Sequence, residues 1–284
     1  MIHNIINIYY IMTTPKIVFI VPYRDREQQK FFFSKHMSYV LENYEPHEYE
    51  IYFSHQLDNR TFNRGAMKNI GFLAMKQKYP DDYKTITFVF NDVDTIPYKK
   101  LFDYETTEGT IKHFYGVKFT LGGIVSILGS DFEKMNGFPC YWGWGHEDNA
   151  LLQRSRRNKI RIDRDIFYDL GNPNILHLFD GMDRIVTGLE SKRFANDTGN
   201  DGVKTIRNLQ TSISADNEFK NTYIINAVRF DTLIPYNGDN YYTLDLRDTQ
   251  QKQLKQITNQ RNIPVVSKSQ EQTQHQFKSR FSLF

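Results

Sequence analysis

The feature that most limits the fold is a pair of unbroken apolar runs, each closed by polar residues. KIVFIVPYR (16–24) ends in proline and arginine, and YKTITFVFNDVD (83–94) ends in acids. A strand without polar alternation is buried on both faces, the habit of parallel sheets covered by helices. EYEIYFSHQ (48–56) reads as a further strand between them. The intervening DREQQKFFFSKHMSYVLENY (25–44) and FNRGAMKNIGFLAMKQKY (62–79) have helical spacing of apolar residues, with Ile70, Leu73 and Ala74 on one face of the second. Strand and helix therefore alternate, and the expected class is α/β, with a doubly wound, mainly parallel sheet.

Beyond Pro97 the pattern loosens. GGIVSILGS (122–130) reads as a strand, SDFEKMNGF (130–138) as a short helix and HEDNALLQRSRRNK (146–159) as an amphipathic helix. NTYIINAVRF (221–230) and NYYTLDLRD (240–248) read as late strands. From Thr249 the chain turns rich in Gln and Lys, a composition that buries too little apolar surface to hold a fold. The expected division is an extension over 1–15, one domain over 16–248 and a disordered tail over 249–284. Met12 offers a second start, which would make residues 1–11 a loose extension; an extra edge strand is the other reading.

Composition narrows the function. A hydrophobic content of 39% supports a globular domain, and a net charge of +3 is too small to make nucleic acid the main partner. Cys140 is the one cysteine, so no intrachain disulfide forms and nothing points to an oxidising compartment. The apolar N-terminus is shorter than the ~20 residues of a membrane span and lacks the marks of a signal peptide. A soluble intracellular, cytoplasmic protein is the expectation.

Several segments carry chemistry. Asp92 and Asp94 follow the apolar run Phe88–Phe90. Ligands of open α/β sheets bind at the C-terminal ends of strands, and paired carboxylates there suit a hard divalent cation. The alternative is a solvated turn ending a strand. Haloacid-dehalogenase-like phosphatases also carry D-x-D-x-T/V, but here Ile96 takes the Thr/Val position and two βα units come first. Arg24 and Arg26, just past the first run, suit phosphate or are ordinary surface arginines. Phe62 and Arg64 stand at a helix start, where they could hold a base or simply follow the capping of Asn63. YWGWGHEDN (141–149) contains both tryptophans of the chain, interleaved with Gly143 and Gly145 and followed by Glu147 and Asp148. Flat rings suit sugar faces and an acid beside a hydroxyl can act as a general base. Equally, the segment is a buried aromatic turn before a helix whose N-terminus favours acids. His177, in NILHLFD, is a structural histidine or a further metal ligand.

Taken together, VPYRDR, FNRGAMKNIGF, FVFNDVDTIP, LGGIVSI, NGFPCYWGWGHEDN and ILHLFD resemble the β-1,4-galactosyltransferase family over about Lys16–Asp248, most specifically in the W-G-W-G-x-E-D block. The context of His177 and the lack of disulfides look most like its xylosylprotein branch. The resemblance implies a GT-A (Rossmann-like) fold and inverting, Mn²⁺-dependent transfer from a UDP-sugar donor to a carbohydrate acceptor, with Mg²⁺ as a second candidate metal. It implies that Pro22, Tyr23, Arg24, Arg26, Phe62 and Arg64 line the nucleotide pocket, with Asp92, Val93 and Gly123 on the donor side. It assigns Asp94 and His177 to the metal, Trp144 and Gly145 to a loop between donor and acceptor, Glu147 to the acceptor and Asp148 to the base. Residues 179–202 would form a lid.

Three positions depart from the pattern. Asn174 stands where one branch has a methionine ligand, so the third protein ligand is the Asn174 oxygen or is missing. Phe179 replaces a second histidine of the xylosylprotein branch. Thr120 replaces a tyrosine that contacts the donor sugar, which leaves room for an N-acetyl group and keeps both galactose and N-acetylhexosamine open. The reading from a different class is a glycan- or nucleotide-sugar-binding module that has kept the fold without turnover.

Overall fold

The structure, a computed structural model, describes residues 13–179 and 181–248. Residues 1–12 and the Gln/Lys-rich tail lie outside the described residues, so the expectations for them have no counterpart below.

In chain order the elements are β1 (Ile17–Tyr23), α1 (Glu27–Val40), β2 (Tyr49–Gln56), α2 (Arg64–Lys78), β3 (Thr87–Asn91), β4 (Thr95–Pro97), β5 (Thr110–Gly116) and β6 (Ile124–Leu128). There follow α3 (Gly129–Lys134), α4 (Glu147–Arg157), β7 (Arg161–Asp163), β8 (Tyr168–Asp169), β9 (Ile175–His177), β10 (Asp183–Val186) and α5 (Leu189–Ala195). The last are β11 (Arg207–Ala215), β12 (Thr222–Asp231) and β13 (Tyr242–Asp245).

The main sheet runs β11-β12-β2-β1-β3-β6-β5-β7, with β8 also on β5. β12, β2, β1 and β3 are mutually parallel; β6 lies antiparallel between β3 and β5, and β11 is antiparallel at the far edge. As the unbroken apolar runs require, every residue of β1 and of β3 is buried. Their alternate side chains enter two cores. Val18, Ile20, Phe88 and Phe90 face α2 and the ring cluster of Phe72, Phe132 and Phe138. Phe19, Val21 and Val89 face α1 through Phe33 and Met37. Each such side chain, fully buried, contributes about 1.5–3 kcal/mol. α2 lies hard against β1 because Gly71 has no side chain: a Cβ there would come within 2.4 Å of Ile20 Cγ2.

Some strands carried no signal in the sequence. β11 (RNLQTSISA) is mostly exposed, with Leu209 packed against the core, and pairs with β12. NYYTLDLRD does contain a strand, β13, but it pairs with β10 outside the main sheet. β4 and β9 are three residues each and make a separate antiparallel ribbon. That ribbon positions the acidic end of β3.

Candidate active site

β3 ends at Asn91 and the chain turns through Asp92, Val93 and Asp94, closed by the bond from Thr95 N–H to the Asp92 carbonyl at 3.1 Å. Asp92 N–H bonds to the Gly123 carbonyl at 3.0 Å, which ties this turn to the Gly-Gly corner before β6. Only glycine serves at 123: φ is +81°, and a Cβ would lie 2.4 Å from the Tyr115 carbonyl oxygen. Gly123 therefore braces the Asp92 turn through its backbone and does not itself border the cleft.

The β4–β9 ribbon sets Thr95 opposite His177, and Leu178 N–H bonds to the Asp94 carbonyl at 2.7 Å. His177 Nε2 thus comes to 3.8 Å from Asp94 Oδ2. Asp94 holds the imidazole above its ordinary value. Burial would raise the Asp94 carboxyl, but His177, Arg64 and Thr95 together outweigh it and the group sits below the usual carboxylate range. Asn174 lies at the far end of the ribbon, where its carbonyl accepts from Tyr98 N–H at 2.7 Å and its N–H bonds to Asn172 Oδ1. The structure shows no contact between Asn174 and the Asp94–His177 pair, and so does not bring it in as a third ligand. Among the described residues no group of three His, Cys, Asp or Glu side chains is arranged around a metal position.

α2 begins at a firm cap. Asn63 Oδ1 accepts from Ala66 N–H at 2.8 Å, while its own N–H and amide bond to Gln56 and the Cys140 carbonyl. The first turn then points Arg64 at Asp92 (Nη2–Oδ2, 2.8 Å) and at Glu147 (Nε–Oε1, 3.4 Å). One turn on, Lys68 Nζ reaches Asp148 Oδ1 at 3.0 Å and Asp92 Oδ1 at 3.8 Å. Its ammonium also lies 4.5 Å from the centre of the Phe138 ring. The cluster thus holds two cations and three carboxylates from three separate motifs. Burial pushes the Asp148 carboxyl up to about 6, with Glu147 and Asp92 adding to the rise and Lys68 and Arg64 opposing it. Lys68 carries little signal in the sequence: it is a lysine four residues after Arg64, on a helix whose neighbouring positions are core.

The acids reach the cluster because of the turn before α4. Gly145 at φ +101° and His146 at φ +70° swing the backbone so that Glu147 and Asp148 form the first helical turn. The acids suit the helix N-terminus, as a turn leading into a helix requires, and they also face α2. The tryptophans divide the work. Trp142 is 1% exposed, stacks on Phe230 and donates from Nε1 to the Ile234 carbonyl. Trp144 is 43% exposed and lies 5.6 Å from the Arg184 guanidinium. Of the two, Trp144 is the one with an exposed ring. The segment after His177 docks on this turn: Trp144 N–H bonds to the Ile185 carbonyl and Gly143 N–H to Glu190 Oε1, while His146 stacks on Phe194.

A cavity of about 290 Å³ opens beside the cluster, bordered by Pro22, Arg24, Arg26, Phe62, Arg64, Asp92, Val93, Asp94 and Trp144 as the sequence reading expected, and by Arg184 and Ile185 of the docked segment. Arg24 is braced by the Arg60 carbonyl and lies 5.2 Å from the centre of the Phe62 ring. Tyr23 is a correction. It is buried on the α1 side, edge-on to Phe53 and His55, and does not border the cavity. Strand alternation explains this: Pro22 and Tyr23 point to opposite faces. No helix among the described residues is long and apolar enough to cross a membrane.

A mainly parallel sheet whose third strand runs into an Asp-x-Asp turn, a basic cleft beside that turn and a helix N-terminus with two acids make up a GT-A fold. The catalytic domain of Drosophila β1,4-galactosyltransferase 7 in complex with xylobiose shares the fold at a TM-score of 0.62 and 21% identity, covering 76% of this chain and 94% of that one. A mutant of the same Drosophila enzyme in complex with manganese, UDP-Gal and xylobiose matches at 0.58 and 22%. Residues 10–106 match the N-terminal region of glycosyl transferase group 7, and residues 110–177 the N-terminal domain of galactosyltransferase. Beta-1,4-galactosyltransferase 4 of Mus musculus is 33% identical over 167 residues, 52% of this chain and 45% of the relative. Xylosylprotein 4-beta-galactosyltransferase of Caenorhabditis elegans is 33% identical over 159 residues, 52% of this chain and 53% of the relative. The chain belongs to the β-1,4-galactosyltransferase family. It spans about half the length of the curated relatives it matches.

Proposed function

We propose that the chain is an inverting, metal-dependent glycosyltransferase that moves galactose or an N-acetylhexosamine from a UDP-sugar to a carbohydrate hydroxyl. The observation that carries this is the position of Asp148: a half-buried carboxylate, pushed up to about 6, joined through Lys68, Asp92 and Arg64 to the basic cavity beside Asp94 and His177. A base of that kind is ionised at neutral pH yet still willing to take a proton.

In this reading Arg24, Arg26 and Phe62 hold the nucleotide and its diphosphate. The acceptor lies on Trp144 with a hydroxyl on Glu147. Asp148 takes the hydroxyl proton as the acceptor oxygen bonds to the anomeric carbon. The bond from that carbon to the phosphate oxygen breaks on the opposite face, UDP leaves, and the configuration inverts. The Asp94 carboxylate, just before β4, is a hard oxygen donor suited to Mn²⁺ or Mg²⁺, and the His177 imidazole on β9 stands beside it. Bound by Asp94 and His177, such an ion would supply Lewis-acid neutralisation of the leaving diphosphate.

The test is a panel of UDP-sugars with Mn²⁺ and a β-xyloside or N-acetylglucosaminide, read as UDP release. The xyloside comes first because a relative is named for a xylosylprotein and a structural neighbour holds xylobiose. Silence with every donor, together with no UDP binding, ends the reading. UDP binding without transfer would favour a nucleotide-sugar-binding module, for which a metal pair of only two described protein ligands is the supporting observation.

A further inference from the structure

A lysine on a helix face otherwise given to core is costly unless its charge is met, and Lys68 is 2% exposed at its side chain. Its neighbours on α2 are buried as well, Met67 and Asn69 among them. No solvent-facing role explains it. Its ammonium lies between the Phe138 ring at 4.5 Å and two carboxylates, Asp148 at 3.0 Å and Asp92 at 3.8 Å.

The other side of Asp148 is just as confined. A Cβ on Gly122 would lie 2.2 Å from Asp148 Oδ2, so the carboxylate rests against the bare Gly122 backbone. Leu121 N–H bonds to the Asp148 carbonyl at 3.0 Å and Asn149 Nδ2 to the Phe119 carbonyl at 3.0 Å, strapping the 117–123 loop to the start of α4. Among the described residues Oδ1 is taken by Lys68, and no hydrogen bond reaches Oδ2. We propose that Lys68 is a positioning residue for the transfer step: its ammonium fixes one oxygen of Asp148, holds that group as the anion and leaves the second oxygen to take the acceptor proton. This rests on the reading of Asp148 as the base.

The charged groups facing Asp148 are Lys68 and Arg64 from α2, Glu147 beside it on α4 and Asp92 from the β3 exit. Of these the acids and burial favour the protonated carboxyl, and the two cations oppose them. Burial and the acids prevail, and Lys68, the cation in contact, is the largest group opposing them. Burial works to lower the Lys68 ammonium, but Asp148 and Asp92 outweigh it and hold it above the ordinary lysine value. It therefore stays charged across the working range.

The experiment uses the full chain with Lys68→Met, which keeps length and removes charge. The acidic limb of the kcat/KM profile should move up by about 1–3 pH units, since that is the usual effect of a contacting opposite charge. A ~2-unit rise lowers activity at pH 7 by roughly tenfold, recovered at alkaline pH. Lys68→Arg should bring the limb back toward its original position, with UDP affinity the same in all three proteins. A uniform loss at every pH, or an unmoved limb, overturns the proposal. Should Lys68→Met fail to fold, the wild-type chain decides. With ¹³C in the lysine side chains, the Lys68 Cε resonance should show an inflection near pH 6 that is absent from Asp148→Asn. A flat Cε resonance through that range overturns the coupling. This titration needs no turnover, so a chain that transfers no sugar would end the functional reading while Lys68 stood or fell separately.

Discussion

His177 meets Asp94, 83 positions earlier in the chain, because Thr95 and His177 are rung partners in the three-residue β4–β9 ribbon. The pairing sets Nε2 and Oδ2 3.8 Å apart at the mouth of the cleft. Neither segment is apolar enough to announce a strand by itself, yet their pairing brings a carboxylate and an imidazole together.

Metal affinity should follow from that sparse donor set. Two protein ligands bind Mn²⁺ weakly in the free chain, and a diphosphate adds oxygens, so UDP should tighten Mn²⁺ binding clearly. Titration calorimetry with and without UDP measures this. Asn174→Ala should leave both affinities unchanged, because Asn174 sits at the other end of the ribbon. A loss of Mn²⁺ affinity in that variant would put its amide on the metal.

Asp148→Asn keeps the size and removes the basicity. Turnover should fall by roughly 10²–10⁴, as for a lost general base, while UDP affinity holds. In the unaltered chain the carboxyl, pushed up to about 6, must be ionised to act, so kcat/KM should be full above that pH and fall as pH drops through it. A profile flat down to pH 4.5 would remove Asp148 from the role, and a greater loss from Glu147→Gln would transfer it to Glu147.

The tryptophans should separate by assay. Trp142→Ala opens the core against Phe230 and should cost about 3–5 kcal/mol in denaturant unfolding. Trp144→Ala should leave unfolding nearly untouched and raise the acceptor KM, since its ring is exposed beside Arg184. Equal effects on stability would contradict the division.

Gly122→Ala places a methyl where Asp148 Oδ2 now lies, 2.2 Å away. The carboxylate must turn, so kcat should drop toward the level of Asp148→Asn with UDP binding retained. Near-normal turnover would show that the carboxylate has another productive position.

By itself the sequence determined what depends on neighbours along the chain. Unbroken apolar runs could only be strands buried on both faces, and they are β1 and β3. Asn63 as a cap, the acids opening α4 and the Asp-x-Asp turn are likewise local chemistry, and the structure keeps all three. The tertiary structure decided whatever depended on a partner. Tyr23 lies in a motif that reads as nucleotide-binding, but the facing of β1 sends it into the core while Pro22 borders the cleft. β11, mostly exposed and rich in polar residues, is held as a strand by the edge that β12 offers. Lys68 reads as a helix lysine until α4 brings Asp148 to 3.0 Å. Periodicity is written in covalent order and survives without the fold; a charge's worth is set by the distance and dielectric around it, and those exist only once the elements have packed.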